Sequence, residues 1–183
     1  LAPEPRPAGA QLHYWLGEEH EGDVRIDVVD ARGEIAHTFA TDSTTLEETE
    51  GQEISAESGL HRVAWSIFYP PPHLPEGAVI WGYSGGVVAP PGDYTVRMTT
   101  AAGVQEQTLR LLPDPRIPEV TTASYAEQFQ AAMVVRDSIS SIARAIDDLA
   151  AIRDQVGGVM DRAESAGQGA ALRALADTLD EKT

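Results

Sequence analysis

The chain has 183 residues, of which 42% are hydrophobic, and this is enough for one ordinary domain with a packed core plus a smaller appendage. Its formal net charge of −16 repels phosphate backbones and anionic lipids. We therefore expect no nucleic-acid binding, and no apolar run reaches the ~20 residues that a membrane span needs. The chain contains no cysteine, so disulfides and thiolate metal sites are excluded.

The first two thirds of the chain carry the alternating pattern of β-strands. Residues 1–10 are a Pro/Ala/Gly stretch without periodicity, which we interpret as a linker. Val24, Ile26 and Val28 alternate with charged residues, and this period of two predicts a half-buried strand. A turn ending in Gly33, which can adopt a positive φ, returns the chain into a partner strand. Strands are predicted at residues 11–16, 24–28, 35–39, 63–69, 94–98 and 104–112.

Two longer segments separate these predicted strands. Residues 40–58 are rich in acidic and turn-forming residues, which predicts a solvated loop, and residues 70–91 form a proline-rich excursion. Six or seven short strands divided by turns are typical of two packed antiparallel sheets. The sequence therefore predicts an immunoglobulin- or fibronectin type III-like β-sandwich over residues 11–116, with Trp65 in its core.

The hydrophobic period changes to that of a helix after residue 116. Thr121 is a candidate N-cap, and so is Ser124 with Glu127 three residues later. In the long helix that follows, apolar residues recur mostly at three- and four-residue spacing and form one stripe. We predict that this stripe is an interface, and it consists of Val135, Ile139, Ile142, Ile146, Leu149 and Val156.

A helical hairpin is predicted over residues 117–183, so the fold class is mainly β with an α tail. Gly157 and Gly158 weaken the first helix by roughly 1 kcal/mol each but need not end it. Residues 165–169 are a better break, and leucines at 172, 175 and 179 mark a second, short helix. Because the two helices are unequal in length, part of the stripe stays uncovered. We expect its cover to come from the sheets, from residues beyond 183 or from a second copy.

One motif points to an enzyme. Residues 82–86 form a literal G-x-S-x-G, the motif that places the serine nucleophile of α/β-hydrolases on a strand-to-helix turn. However, Val87 to Pro91 cannot open a helix, and no histidine follows His73. The sequence favours a glycine-rich surface loop, and a serine hydrolase using Ser84 is the third and weakest hypothesis.

No metal, cofactor or carboxylate-pair site is predicted. The five histidines show neither HxH nor HxxxH spacing, and the acidic residues around His20 lack the EF-hand spacing for calcium. The 29 acidic residues offer many pairs for glycoside hydrolysis, but they lie in predicted loops and on exposed faces, so nothing singles out two of them. We therefore expect no catalytic residue, no metal and no cofactor in this chain.

Two aromatic residues are candidates for contact with a ligand or a partner. Trp81 and Tyr83 lie in the Pro/Gly-rich loop with few apolar neighbours, whereas Trp65 alternates into the core pattern. Their rings could stack on a sugar, contact a partner domain or pack over the edge of the sheets. A carbohydrate-binding module is therefore the second hypothesis.

Several segments together resemble a known arrangement. Residues 59–67 resemble the glycine-led, tryptophan-containing strand of flagellar hook-cap-type immunoglobulin-like domains. Residues 91–97 resemble the Pro-Gly-x-Tyr start of a strand in those domains, and residues 28–35 resemble their opening hairpin. Together with the Asp-Pro-Arg sequence at 114–116 and the amphipathic helix, residues 11–182 resemble the C-terminal region of bacterial BNR-repeat, sortilin-type propeller proteins classed as glycosyl hydrolases.

This resemblance implies an extracytoplasmic protein, secreted or periplasmic, in which a β-propeller precedes the segment. Any glycosidase-like residues would lie in that propeller, so no catalytic residue is carried over. The leading hypothesis is a non-catalytic accessory module that docks on the preceding β-propeller or mediates assembly, including self-association through the helical hairpin.

Overall fold

The computed structural model describes residues 9–79, 81–82 and 85–165 of the chain. This part of the chain forms a β region followed by a long C-terminal helix, which confirms the coarse prediction. The second helix predicted at residues 172–179 lies outside the described residues. In chain order the elements are β1 (Ala10–Leu16), β2 (Arg25–Val29), β3 (Ile35–Ala40), α1 (Ser43–Thr49), β4 (Gln52–Glu53), β5 (Gly59–Trp65), β6 (Gly92–Thr100), β7 (Gly103–Leu111) and α2 (Thr122–Ser165).

The described strands form two sheets. The larger has the order β4-β3-β2-β6-β7 and is antiparallel except for the parallel pair of β3 and β4. The smaller consists of β1 and β5, paired antiparallel from Ala10 opposite Trp65 to Leu16 opposite Gly59. Strands are present at all six places where the sequence predicts one.

Side chains from both sheets share one hydrophobic core. On the central strand β2, Ile26 lies opposite Phe39 of β3 and Met98 of β6, so all three point to the same face. Trp65 ends β5 and is fully buried, and its ring meets that of Tyr94 edge-on at 5.3 Å. The predicted core position of Trp65 is confirmed.

The other face of the larger sheet carries most of its polar side chains, and two of them, Asp27 and Thr38, are buried. Asp27 on β2 accepts hydrogen bonds from Thr38 Oγ1 at 2.8 Å and from Arg25 Nε at 2.9 Å. On the neighbouring strands, Arg97 Nε donates to Glu106 Oε1 at 2.6 Å. The cross-strand pairs, Thr38 with Asp27 and Arg97 with Glu106, hold the register of the sheet on this face.

The prediction of a solvated loop over residues 40–58 is wrong, because the segment contains α1 and β4. Asp42 caps α1, since its Oδ1 accepts a hydrogen bond from Thr45 N–H at 2.7 Å. Gly51 then passes so close to β3 that a Cβ would lie 2.8 Å from the Thr38 carbonyl oxygen. Three residues after Gly51, Ile54 is buried in the hydrophobic core. The acidic composition of this segment gave no indication of the short capped helix or of β4, the strand that follows it and pairs with β3.

The strand predicted at residues 63–69 ends earlier, at Trp65. Ile67 has a φ of 61°, a left-handed conformation that β-branched residues rarely adopt and that breaks the ladder. The chain then resumes pairing with the far end of the proline-rich excursion. Tyr69 N–H donates to the Val87 carbonyl at 2.8 Å, and Ala89 N–H donates to the Ile67 carbonyl at 2.8 Å.

The long helix α2 begins where the sequence predicts. Thr121 Oγ1 accepts a hydrogen bond from Ser124 N–H at 3.2 Å, so Thr121 is the N-cap. Before it, Asp114 Oδ1 accepts from Arg116 N–H at 2.9 Å, and the Arg116 side chain lowers the pKa of the Asp114 carboxyl to about 2. Gly157 and Gly158 do not interrupt the helix, as predicted.

The start of α2 is anchored on the turn between β2 and β3. Phe129 is buried, its ring lies 4.8 Å from that of Tyr69, and the Arg32 guanidinium lies 5.4 Å above it. Tyr69 Oη in turn donates to Asp30 Oδ2 at 3.0 Å. The chain divides into two compact units, Leu1–Pro72 with Gly82–Arg136 and His73–Trp81 with Asp137–Thr183, and this anchor belongs to the first.

Candidate interaction surfaces

An apolar face with a heptad repeat runs along α2. Its members are spaced alternately by four and three residues, which is the spacing of the a and d positions of coiled coils. One place in the repeat, between Leu149 and Val156, is taken by Arg153. The apolar members are the predicted interface residues Val135, Ile139, Ile142, Ile146, Leu149 and Val156.

These side chains are open to solvent in the described structure. Ile142 is 64% exposed, Ile146 50% and Leu149 52%. Val135 and Ile139 are exposed as well, and Val156 is half-buried. Fully burying one such side chain is worth ~1.5–3 kcal/mol, so covering the face would release a substantial part of that for each residue.

A different face of α2 carries a polar cluster that the sequence did not predict. His73 N–H donates to Ser140 Oγ at 3.0 Å, and His73 Nε2 lies 2.6 Å from Asp147 Oδ2. Ser140 and Ala143 are buried beneath this contact, within the second unit. The residues lie 67 and 74 positions from His73, so no local pattern could reveal them.

This Ser, His and Asp cluster is not arranged as a catalytic triad. A serine nucleophile needs the histidine ring as its base, whereas Ser140 Oγ accepts its hydrogen bond from the backbone of His73. The cluster instead attaches the segment His73–Trp81 to the helix.

The glycine-rich loop is only partly described. Trp81 is 96% exposed, while Tyr83 and Ser84 lie outside the described residues. After the G-x-S-x-G motif, Val88 pairs with Phe68 in an antiparallel bridge, so residues 87–91 do not open a helix, as predicted. Gly86 is required for packing, because a Cβ there would lie 1.8 Å from the Tyr69 carbonyl oxygen.

The histidines are not gathered into a metal site. Within residues 9–79, 81–82 and 85–165, no group of three or more histidine, aspartate or glutamate side chains is arranged to hold a metal ion. His37 is half-buried with its ring edge-on to Phe39, and burial lowers its pKa. In the described part of the chain, no helix has the length and apolarity needed to cross a bilayer.

Comparison with known proteins gives no relative. No family model, no curated protein and no solved structure matches the chain. The function is therefore argued from the surfaces described above.

Proposed function

We propose that this chain is a non-catalytic interaction module, in which an immunoglobulin-like β-sandwich carries a helix that associates with a second copy of itself. The single observation that supports this function is the exposed heptad face of α2. Coiled-coil seams of this spacing pair with another helix because their a and d side chains cannot be buried within one helix.

The sandwich part of the proposal is supported by a hydrogen bond from the Tyr94 side chain back to the main chain, an arrangement called a tyrosine corner. This residue lies near the start of β6, and its hydroxyl donates to the Pro90 carbonyl four residues upstream, at 2.8 Å. Such a tyrosine corner recurs in immunoglobulin-like sandwiches, as does a buried tryptophan, and the burial of Trp65 supports the proposal in the same way.

Sedimentation of the purified chain at low and high salt tests the association. Residues 117–183 contain 11 acidic and 6 basic residues, net −5, so two helical regions repel each other. Added salt screens this repulsion, and the dimer should become tighter as salt rises. A chain that stays monomeric at every salt concentration would refute the association.

A pair of matched variants localises the contact. Ile146→Arg places a charge in the seam and should yield a monomer. Ala151→Arg places the same side chain on an exposed position away from the heptad face and should leave the dimer intact. Equal effects of the two substitutions would show that the heptad face is not the interface.

We further propose, from the sequence resemblance, that the module belongs to the C-terminal region of a secreted or periplasmic BNR-repeat propeller protein. The glycine-led strand with Trp65, the hairpin closed by Gly33 and the β6 start at residues 91–94 are the features that support it. In that setting the preceding β-propeller is the partner of the module within the same polypeptide. Reading the residues encoded upstream of Leu1 tests this origin, because propeller repeats must be found there.

Carbohydrate binding is a second candidate, favoured by the almost complete exposure of Trp81. An exposed indole ring can stack on a sugar, and this would quench its fluorescence. Soluble polysaccharides should then quench the chain's emission, and Trp81→Ala should abolish the effect. Trp15→Ala is the matched control, because Trp15 is also exposed but lies on β1. Quenching that survives Trp81→Ala would reject this site.

The absence of catalysis has its own test. A serine-directed phosphonate should not label the chain, because no helix opens directly after the motif at residues 87–91 and no histidine follows His73, whereas a hydrolase serine needs both. Stoichiometric labelling of Ser84 would overturn the non-catalytic proposal and leave the helix association to be judged separately.

A further inference from the structure

A groove opens between the two sheets on one side of the first unit. It has a volume of about 850 Å³, which lies within the range of ligand-binding pockets. One wall is β1 and the other is formed by β6 and β7, with Ile26 of β2 at its base. The groove thus lies where the smaller sheet is too narrow to cover the larger one.

The walls are apolar at the base and polar at the rim. On β1, Tyr14 and Leu16 are buried while Trp15 between them is exposed, so Leu12, Tyr14 and Leu16 share the inner face. The opposite wall contains Val96 and Met98, which are partly buried. Their cross-strand partners on β7, Gln107 and Gln105, face the same side and remain exposed.

Two strand edges border the groove. Among the described residues, β1 pairs only with β5, and β7 pairs only with β6. In an antiparallel pair, alternate residues direct their N–H and C=O groups away from the partner strand. The outer edges of β1 and β7 therefore present rows of backbone donors and acceptors beside an apolar base, which is the arrangement that accepts an added strand.

We propose that this groove binds an extended segment of a partner polypeptide, which pairs with the outer edge of β1 and covers the inner face of β6 and β7. Every second side chain of the segment points between the sheets, where Leu12, Val96 and Met98 select apolar residues. The intervening side chains point outward and are polar.

The charge of the groove and of the chain restricts which partner segments can bind. The acidic and basic residues that line the groove are Glu19 and the two histidines His13 and His20, with no arginine or lysine, and the chain as a whole carries a net charge of −16. Acidic segments are therefore repelled, whereas a basic residue at the end of the segment nearest Glu19 is attracted. The occupant is a neutral or basic strand with apolar residues at alternate positions.

The test uses three seven-residue peptides that begin with arginine and alternate valine with threonine, leucine with serine, or phenylalanine with glutamine. Each is titrated into the ¹⁵N-labelled chain. At least one should bind and shift the amides of β1 and β7 more than those of β3 and β4. If none of the three binds, the proposal is wrong.

Backbone methylation separates strand pairing from simple hydrophobic binding. Two versions of the best peptide are N-methylated at the odd or at the even positions, so that each loses the donors of one edge only. The version whose β1-facing edge is methylated should bind at least about tenfold more weakly, a change that corresponds to roughly 1.4 kcal/mol. Equal affinities would mean that the groove holds an apolar ligand without strand pairing, and the proposal would fail.

Two exposed positions of β7 supply matched variants. Gln107→Arg places a long cation in the groove and should weaken peptide binding, whereas Val104→Arg points to the other face of the sheet and should not. Both positions are exposed, so equal melting temperatures are expected. Shifts of the β1 and β7 amides that grow with protein concentration in the absence of peptide would identify a second copy as occupant and overturn the proposal.

Discussion

Replacing Trp65 by alanine should remove a large part of the stability of the β region. Trp65 is fully buried, it is in edge-to-face contact with Tyr94, and its Nε1–H donates to the Phe68 carbonyl at 3.0 Å. Truncating a buried large aromatic residue costs about 3–5 kcal/mol. Loss of the hydrogen bond leaves a carbonyl unsatisfied at a cost of roughly 1 kcal/mol or more, so the upper part of that range is expected.

Thermal unfolding measures the effect. For a protein of this size, 1 kcal/mol shifts the melting temperature by about 2–4 °C, so Trp65→Ala should lower it by about 8–20 °C. Trp65→Phe keeps a ring against Tyr94 but removes the donor, and it should cost less.

The other two tryptophans are controls of identical chemistry. Trp15 is 67% exposed and Trp81 is 96% exposed, so their alanine variants should change stability by no more than about 0.5 kcal/mol. If the melting temperature of Trp65→Ala is as close to that of the wild type as those of the two control variants, the assignment of Trp65 to the core is refuted.

Two further predictions concern the anchor of α2. Phe129→Ala should cost about 3 kcal/mol because the buried ring contacts both Tyr69 and Arg32, while Val134→Ala, at an exposed position of the same helix, should cost almost nothing in chemical denaturation. Burial raises the pKa of Asp30, but hydrogen bonds from Glu34 N–H and from Arg32 outweigh it and hold the pKa below its usual range. A carboxyl of this kind stabilises the fold above its unfolded pKa of about 3.9 and loses that contribution as pH falls through the folded value. Melting temperatures between pH 5 and pH 2 should therefore fall less steeply for Asp30→Asn than for the wild type, and an unchanged slope would contradict the assigned role of this carboxyl.

The strands and the long helix could be predicted because each has a local period. The alternation around Ile26 and the three- and four-residue spacing around Ile142 need no knowledge of distant residues. The helix α1 could not be predicted because it has no such apolar period. Six of its seven residues are polar, and the features that stabilise it are the cap at Asp42 and the burial of Ile54 in the core after it.

The contacts between distant segments could not be predicted at all. His73 meets Asp147 across 74 positions, and Tyr69 meets Asp30 across 39. The groove beside β1 is a further case, because the two sheets that border it have two and five strands in the described part of the chain. Which strands pair with each other cannot be deduced from the sequence of a single strand. The stripe on α2 was visible in the sequence, but only the structure reports that its side chains are exposed.

The uneven packing of α2 predicts uneven stability along its 44 residues. Phe129 fixes its first turns and Ser140 with Ala143 its middle, but no described residue from Leu149 onward is buried. Helices owe most of their stability to tertiary packing, so the amides of residues 149–163 should exchange with solvent much faster than those of residues 125–143 in dilute monomer. Association through the heptad face should slow exchange selectively in the later turns. Hydrogen exchange at low and high protein concentration measures both, and uniform protection along α2 in the monomer would show that the exposed face does not govern the helix's stability.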